Sequence, residues 1–411
     1  MVANKQDLIY DWNTGGGDVV PERRPIEFDD ETLRDGLQSP SVLSPSIEKK
    51  IEILHLMHDL GIHSADIGLP GAGVHVQEQV YQLAKEIVDQ KLNIEPNCAA
   101  RTLEVDIQPV IDISQKAGIP IECSTFIGSS PIRQYAENWS LDTLLKNTEK
   151  AVTFVVENGL PNMYVTEDTT RATPEAVKRL YTTAIECGAR RICLCDTVGH
   201  ATPDGVRNLV KYARKIVADT GEDVKIDWHG HRDRGLDIPN TLTAIEAGVD
   251  RVHACALGIG ERCGNTPMDI LLVNLKLMGM IDNDLTRLRD YCLTVSDAVG
   301  VPIPVGYPVV GADAFRTGTG VHAAAVIKAF KKEDVWLVDR VYSGVPAGMF
   351  GLEQRIEVGP MSGLSNVHYW LSSRGYPVKE ELAQAIFQAA KDSNRLLEDS
   401  EIQAIVKKYL H

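Results

Sequence analysis

The chain has 411 residues, of which 44% are hydrophobic and 24% are charged, an ordinary composition for a globular protein. The formal net charge of −15 argues against a nucleic-acid groove or an anionic membrane surface as the main binding partner, and no stretch approaches the roughly 20 apolar residues of a membrane span. The length suits one large domain and a smaller one.

The N-terminal segment, MVANKQDLIYDWNTGGGDVVPERR, has no apolar core of signal-peptide length, so we expect a cytoplasmic protein. Residues 1–22, which include three consecutive glycines, are predicted to form a flexible lead-in. The eight cysteines show neither zinc-type pairing nor a disulfide framework. Cys193 and Cys195, in the strand-like run RICLCD, are interpreted as buried small residues.

Over residues 23–280, strand-like runs alternate with amphipathic helical segments such as SIEKKIEILHLMHDLG and TPEAVKRLYTTAIECG. Eight runs predict strands: RPIEFDD, HSADIGLP, NIEPNCAA, IPIECSTF, PNMYVTED, RRICLCDT, VKIDWHGH and DRVHACAL. Strict alternation predicts a parallel sheet, and eight units predict a closed (β/α)8 barrel, the TIM barrel. A doubly wound open sheet, the alternative fold, would typically carry a glycine-rich phosphate-binding motif after its first strand, and none follows Asp30.

After residue 280 the alternation stops, so residues 281–411 are predicted to form a smaller, mainly helical domain. The segments LTRLRDYCLTVSDAVG and VHAAAVIKAFKK have helical periodicity, and a final pair of helices is predicted to end at His411. Between them lies the stretch YSGVPAGMFGLEQ, which is punctuated by glycine and proline.

Polar residues follow nearly every predicted strand of the barrel. The active sites of TIM barrels lie at the C-terminal ends of the strands, so this distribution predicts a site at one mouth of the barrel. The residues concerned are Glu31, Arg34, Asp35, Gln38, Arg101, Ser124, Arg133, Glu167, Thr197, His229, His231, Glu261 and Asn265.

His229 and His231 are the strongest candidates for metal ligands. Residues i and i+2 of a strand point the same way, so both imidazoles are expected to face the barrel mouth. The pair alone is a weak signal, but Asp35, across the same mouth, would complete a three-ligand site with open positions. Imidazole and carboxylate ligands suit Mg, Mn, Fe, Co or Zn, so we predict a divalent metal centre.

At these residues the sequence resembles the α-isopropylmalate synthase/homocitrate synthase family, which are metal-dependent TIM-barrel enzymes that condense an acyl-CoA. The match is strong over residues 28–280 and looser beyond. Five motifs in the same order make it specific: DETLRDGLQ, TEDTTR, DTVGHATP, HGHRDRG and GIGERCGNTP. The resemblance implies a Claisen condensation of acetyl-CoA with a 2-oxo acid, as in 2-isopropylmalate synthase, with release of CoA.

The resemblance also implies roles for individual residues. Asp35, His229 and His231 would hold Mg, Mn, Zn or Co, and Asn265 is either a further oxygen donor near the metal or a turn residue.

Four further residues would act on the substrates. Arg34 would point its guanidinium at the carbonyl oxygen of the oxo acid, and Thr197 would bind the carboxylate of that acid. Glu167 would position water or assist proton transfer, and Gln38 would bind substrate.

In the family, a histidine and a tyrosine of the appendage reach into the barrel of the neighbouring subunit and take part in removing the proton of the acetyl group. His322 in GTGVHAAAVIK and Tyr342 in DRVYSGVP match them. The resemblance therefore implies a homodimer whose active sites are completed across subunits. The alternative is that His322 only begins a helix and Tyr342 belongs to the core.

Two departures bear on the substrate and the reaction. Homocitrate synthases carry an arginine where Arg133 stands in SSPIRQY, which suggests a second substrate carboxylate and a homocitrate-, citrate- or benzylmalate-type alternative. Cys263 leaves open a lyase that runs the reverse cleavage, as hydroxymethylglutaryl-CoA lyase does.

Leucine-regulated members carry a further C-terminal domain on the order of 100 residues. The chain ends at His411, so we expect no feedback inhibition through such a domain.

Overall fold

The structure is a computed structural model and describes residues 5–13 and 24–410. The predicted lead-in over residues 1–22 lies outside the described residues except for 5–13, which include a 3-10 turn at Lys5–Leu8. The chain divides into two compact units, Met1–Asp284 and Leu285–His411, where the sequence places the boundary after residue 280.

The first unit is a closed barrel of eight parallel strands that neighbour one another in chain order, which confirms the predicted TIM barrel. The last strand pairs with the first and closes the cylinder, with Asp29 opposite His253. The strands are β1 Glu27–Asp30, β2 Ser64–Asp66, β3 Glu95–Arg101, β4 Glu122–Gly128, β5 Asn162–Glu167, β6 Arg191–Asp196, β7 Lys225–Gly230 and β8 Arg251–Ala254.

Helices connect the strands and begin where the sequence supplies N-caps. The side chains of Ser46, Ser140, Thr173 and Thr202 accept hydrogen bonds from backbone N–H groups in the first turns of their helices. The helices of this unit are α1 Ile47–Asp59, α2 Val74–Gln90, α3 Glu104–Ala117, α4 Pro131–Glu137, α5 Leu141–Glu157, α6 Pro174–Glu186, α7 Pro203–Thr220, α8 Asp237–Ala247 and α9 Met268–Leu277.

The N-terminal ends of the strands carry a buried network of charges. Arg251, which begins β8, donates to Asp227 at 2.7 Å and to Glu122 at 2.5 Å. Arg191, which begins β6, donates to Asp227 at 2.7 Å and to Glu27 at 2.8 Å. Arg251, Arg191 and Asp227 each have several partners, which offsets the cost of taking these charges out of water. The network joins five strands at the end of the barrel opposite the polar rim.

The second unit is mainly helical, as predicted, and adds one short parallel pair of strands, β9 Arg316–Thr317 and β10 Arg355–Ile356. Its larger buried cluster includes Trp370, Leu382 and Ile402, which come from three of its helices. Within the described residues, no helix combines the length and apolar character that crossing a membrane requires. The helices are α10 Leu288–Val299, α11 Gly320–Lys331, α12 Val335–Val338, α13 Leu364–Ser373, α14 Glu380–Asp392 and α15 Asp399–Leu410.

Candidate active site

A cavity of about 150 Å³ opens at the C-terminal ends of the barrel strands. Its polar wall comes from β1, β2, β7, β8 and the loops that follow them, and its apolar wall comes from β3 to β6. The polar wall is formed by Glu31, Arg34, Asp35, Gln38, Asp66, His229, His231, His253, Glu261 and Arg262. The opposite wall includes Ala99, Phe126, Met163, Val165, Cys193 and Cys195, and Ser124, Glu167 and Thr197 complete the lining.

Asp35, His229 and His231 converge on one point of the polar wall. The Nε2 atoms of the two histidines lie 3.2 Å apart, and each lies 3.7 Å from Oδ2 of Asp35. Neighbouring ligands that each lie ~2.1 Å from one ion are about 3 Å apart when they meet at right angles. The three side chains therefore fit a facial set of ligands for one divalent ion, and the open positions face the cavity.

The protonation of the two imidazoles differs because only His229 has an acidic partner at Nδ1. Burial alone would lower the pKa of His229, but the charge of Glu31 overrides it and the pKa is raised. Burial, together with the neighbouring His229, lowers the pKa of His231 to about 4. His231 is thus a neutral imidazole near pH 7, the form that ligates metals.

Asn265 lies next to the same group. Its Nδ2 donates to Oδ2 of Asp35 at 2.7 Å and to the carbonyl of Ile259 at 3.2 Å, so it holds the carboxylate in place. Its Oδ1 and the Nδ1 of His231 are buried without a hydrogen-bond partner in the described structure. An amide oxygen is an acceptor, so Asn265 has an oxygen without a hydrogen bond that could serve a cation.

The loop after β8 places Asn265 by close backbone contact. Gly264 has φ +106°, and a Cβ there would lie 1.9 Å from the carbonyl oxygen of Gly258. Only glycine fits this approach without rearrangement. The neighbouring Asn265 N–H then donates to that carbonyl at 3.0 Å.

Arg34 is held by three carboxylates. Its Nε donates to Asp66 at 2.6 Å, Nη1 to Asp35 at 3.0 Å and Nη2 to Glu31 at 2.7 Å. These contacts raise the pKa of Arg34 well above its ordinary value, although burial opposes the shift. Burial raises the pKa of Asp66 to about 7 in spite of the adjacent guanidinium. Arg34 is therefore a fixed cation beside the candidate metal ligands.

Glu167, Thr197 and Gln38 line the cavity as the sequence predicts for substrate-contacting residues. Burial raises the pKa of Glu167, and the positive charges of Arg133 and Arg34 oppose that rise. Thr197 Oγ1 accepts from the backbone N–H of Asp168 at 2.8 Å, which leaves its hydroxyl hydrogen available to donate into the cavity.

Arg133 does not line the cavity. It belongs to α4, its side chain is 46% exposed, and it pairs with Glu137 at 3.0 Å. The side chain of Arg133 packs against Gly128, where an added Cβ would lie 2.4 Å from Cγ of Arg133. Recognition of a second substrate carboxylate by Arg133 stays a prediction.

His322 and Tyr342 lie in the second unit. Their rings stack with centroids 4.3 Å apart, and together they line a groove of that unit that also includes Arg316 and Arg395. Tyr342 is 49% exposed, so it is not a core residue.

Asp66 and His253 are among the cavity residues that received no role from the sequence, and Glu31 was placed on the rim without one. Arg251 and His253 stand two apart in an otherwise apolar strand, and this alternation was the available signal for an inward-facing polar pair. Their partners lie on strands remote in sequence, so the contacts themselves could not be read from the chain.

The chain is a TIM-barrel protein whose C-terminal mouth gathers an aspartate and two histidines that could hold a divalent ion, next to an arginine held by carboxylates. Residues 25–295 match the HMGL-like family. The chain is a member of that family.

Curated relatives refine the assignment within the family. Homocitrate synthase AksA of Methanopyrus kandleri is 32% identical over 387 residues, which cover 93% of this chain and 91% of the relative. The 2-isopropylmalate synthase of Pyrococcus abyssi is 30% identical, over 94% of this chain and 78% of the relative. The (R)-citramalate synthase CimA of Methanocaldococcus jannaschii is 29% identical, over 93% and 74%. The resemblance stated from the motifs is confirmed.

Solved structures agree on the fold. The HMG-CoA lyase of Bacillus subtilis superposes with a TM-score of 0.57 at 20% identity, over 68% of this chain and 95% of the lyase. At this identity the likeness supports the barrel and carries no information on the reaction.

Proposed function

We propose that the protein is an acyltransferase that condenses acetyl-CoA with a 2-oxo acid to a 2-alkylmalate-type product and releases CoA, as 2-isopropylmalate synthase does. The observation that carries the proposal is the convergence of Asp35, His229 and His231 beside Arg34. Relatives over nearly the whole chain that are named as synthases support it.

Residues that line the cavity would each act on a different group of the substrates during the condensation. A divalent ion held by Asp35, His229 and His231 would supply Lewis-acid polarisation of the oxo-acid carbonyl. Arg34 donates to the oxygen on which negative charge develops, and its three carboxylate partners fix it there before the reaction, so no reorganisation is required. Thr197 donates its hydroxyl hydrogen to the carboxylate of the oxo acid.

Glu167 is suited to proton transfer. Its carboxyl lies in the cavity, and burial raises its pKa toward neutrality, where a group exchanges protons most effectively. We assign to it the positioning or activation of the water that hydrolyses the thioester.

The apolar wall favours a 2-oxo acid with an apolar side group, such as 2-oxoisovalerate. Met163, Cys193 and Cys195 form one buried cluster with Val165 packed against it, opposite the metal ligands. A side group directed away from the ligands meets this wall. A homocitrate- or citrate-type reaction is the alternative, and it requires a cation such as Arg133 to reach the second carboxylate.

His322 and Tyr342 are proposed to complete the site of a neighbouring subunit in a homodimer. Their rings are stacked, and the hydroxyl-bearing Tyr342 is exposed, as groups that serve another subunit must be. In this role they assist removal of a proton from the methyl group of acetyl-CoA.

Release of CoA tests the proposed function. Protein loaded with Mg²⁺, Mn²⁺, Zn²⁺ or Co²⁺ is incubated with acetyl-CoA and 2-oxoisovalerate, oxaloacetate, 2-oxoglutarate or phenylpyruvate. CoA is quantified by chromatography because the exposed Cys263 would itself react with a thiol reagent. We expect CoA release that depends on the oxo acid and is fastest with an apolar acid.

The test variant is Asp35→Asn, which removes a proposed metal ligand. The control is His55→Ala, which removes a histidine on α1 that pairs with Glu86 and does not line the cavity. We expect the first to abolish CoA release and the second to preserve it. No release of CoA with any acid and any metal would refute the proposal.

A lyase reaction is the second candidate, because Cys263 is exposed in the loop after β8. Incubation with hydroxymethylglutaryl-CoA distinguishes the two functions. Formation of acetyl-CoA from this thioester, lost in Cys263→Ala, would favour the lyase.

A further inference from the structure

A row of buried acidic and basic side chains runs from His229 toward the N-terminal ends of the strands. Oε1 of Glu31 lies 3.3 Å from Nδ1 of His229 and 2.6 Å from Nδ1 of His253. Nε2 of His253 lies 2.9 Å from Oδ2 of Asp227. Glu31, His253 and Asp227 are at most 3% exposed, so their hydrogen bonds come from neighbouring side chains rather than from bulk water.

The charges at both ends of the row decide which atoms donate. Asp227 accepts from Arg251 and from Arg191, both at 2.7 Å, and Glu31 accepts from Arg34 at 2.7 Å. Carboxylates paired with guanidinium groups are ionised and can only accept. His253 lies between Asp227 and Glu31 and therefore donates from both ring nitrogens.

Because His253 donates from both ring nitrogens, it is not available as a ligand of a second metal ion in the row. Glu31, His229 and His253 do bring three ligand atoms close together. His253 has no free nitrogen lone pair when both of its nitrogens donate, so it cannot ligate an ion. Its role is to hold the carboxylate of Glu31.

His229 also faces an ionised carboxylate, and this contact determines its tautomer. Its Nδ1 faces the carboxylate of Glu31 and donates to it, so the hydrogen is on Nδ1 and the lone pair is on Nε2. Nε2 is the atom that faces Asp35 and His231. His231 has no such partner, because its Nδ1 is buried without a hydrogen bond in the described structure.

The backbone of Glu31 is held as firmly as its side chain. Its N–H donates to the carbonyl of Ala254 at 2.9 Å, and its own carbonyl accepts from the N–H groups of Arg34 at 3.1 Å and Gly36 at 2.9 Å. The carboxylate is therefore presented to His229 from a fixed position at the end of β1.

We propose that Glu31 is a positioning residue for the metal centre: it orients His229 and keeps the hydrogen of its imidazole on Nδ1, so that Nε2 is presented to the ion. The inference rests on the proposed metal centre at Asp35, His229 and His231. A carboxylate behind a ligating imidazole raises its basicity, and removal of such a partner weakens metal binding about 10- to 100-fold.

Cobalt binding tests this inference without reference to activity. The dissociation constant of Co²⁺ is measured by calorimetry on metal-free protein at one pH, and the visible absorption of the bound ion reports its ligand set. We expect binding about 10- to 100-fold weaker in Glu31→Ala. Glu31→Gln keeps the shape and one acceptor oxygen without the charge, and we expect a smaller loss.

Asp66→Asn is the matched control. It also removes a buried carboxylate from Arg34, but no hydrogen bond joins Asp66 to either histidine in the described structure. We expect cobalt affinity closer to that of the wild type in Asp66→Asn than in Glu31→Ala, whereas a role of Glu31 that consists only of holding Arg34 predicts similar losses in both variants.

The outcomes separate the two levels of the proposal. Wild-type protein that binds no Co²⁺ would overturn the metal centre and the inference with it. Wild-type protein that binds Co²⁺, with equal affinity in Glu31→Ala, would overturn the inference alone. If Glu31→Ala does not fold, wild-type affinity in Glu31→Gln overturns the inference.

Discussion

The guanidinium of Arg34 is held in a fixed orientation at the rim of the cavity. Three carboxylates satisfy three of its nitrogens, so the guanidinium cannot turn away from the cavity. A lysine has one compact ammonium group and cannot span three partners. The clamp therefore depends on the planar fork of arginine.

We expect Arg34→Lys to lower kcat by about 10²- to 10³-fold, the range found when a preorganised donor to a developing negative charge is lost. The measurement is the initial rate of CoA release at saturating acetyl-CoA and oxo acid. Arg171→Lys is the control, because Arg171 pairs with Asp168 in the segment that follows β5 and does not line the cavity. A kcat of Arg34→Lys close to that of the control would contradict the assigned role.

Glu167 predicts a pH dependence whose sign follows from its surroundings. Burial raises its pKa, and Arg133 opposes the rise by favouring the charged form. If the carboxylate is the active form, kcat falls as the pH decreases through this raised pKa. Arg133→Ala removes a favourable charge, so the pKa rises further and the acid limb of the pH profile moves to higher pH.

The pH profile of kcat for wild type, Arg133→Ala and Arg133→Lys measures this effect. The lysine variant keeps the charge, so its acid limb is expected to stay near that of the wild type. A limb that moves to lower pH in Arg133→Ala, or that persists in Glu167→Gln, would show that another group is titrating.

The residue-scale contacts were only partly predictable. The spacing of His229 and His231 indicated a shared face, since that follows from strand geometry alone. The contact of Arg34 with Asp66 and the row through His253 depend on which strands are neighbours and on burial. Neither property is local in sequence.

Among the elements, the loops and short helices were harder to predict than the strands. α4 was missed because it spans seven residues and buries none of them, so it has no apolar periodicity to detect. It begins at Ser130-Pro131, a cap and first-turn signal that the sequence did contain. α13 follows a glycine-rich stretch and was likewise not predicted. The eight strands were predicted because short β-rich or small apolar runs alternate with helical segments along the chain.

The charged ends of the strands make a prediction about stability. Arg251 is 2% exposed and joins β8 to β7 and β4 through Asp227 and Glu122. Arg251→Ala breaks both of these ion pairs and leaves the two carboxylates with Arg191, and we expect it to cost about 3–5 kcal/mol of unfolding free energy.

Urea unfolding followed by circular dichroism measures that loss. Arg207→Ala is the control, because Arg207 pairs with the 90% exposed Asp204 and such surface pairs are worth about 0–1 kcal/mol. An unfolding midpoint of Arg251→Ala equal to that of the control would show that the network does not support the barrel.

We propose that the second unit contributes catalytic residues to the barrel of a neighbouring subunit. The barrel holds the ligands of the proposed metal, and His322 and Tyr342 lie in the other unit. The variants Asp35→Asn and His322→Ala are each expected to be inactive alone. Mixed after reversible dissociation, they are expected to regain about a quarter of wild-type activity, since half of the dimers are mixed and each has one intact site.

The rate of CoA release by the mixture, compared with each variant alone, is the measurement. Activity no greater than the sum of the separate variants would mean that His322 does not serve a partner's barrel. Wild-type chromatographic behaviour of both variants is the control for assembly.

The position of a bound metal ion shows directly whether Asp35, His229 and His231 form a metal centre. Crystals soaked in Mn²⁺ or Co²⁺ are examined by anomalous scattering at the absorption edge of the metal. We expect one peak at the barrel mouth, ~2.0–2.3 Å from Nε2 of His229, Nε2 of His231 and a carboxylate oxygen of Asp35. A map with no peak there, or with its peak between Glu31 and His253, would contradict this expectation.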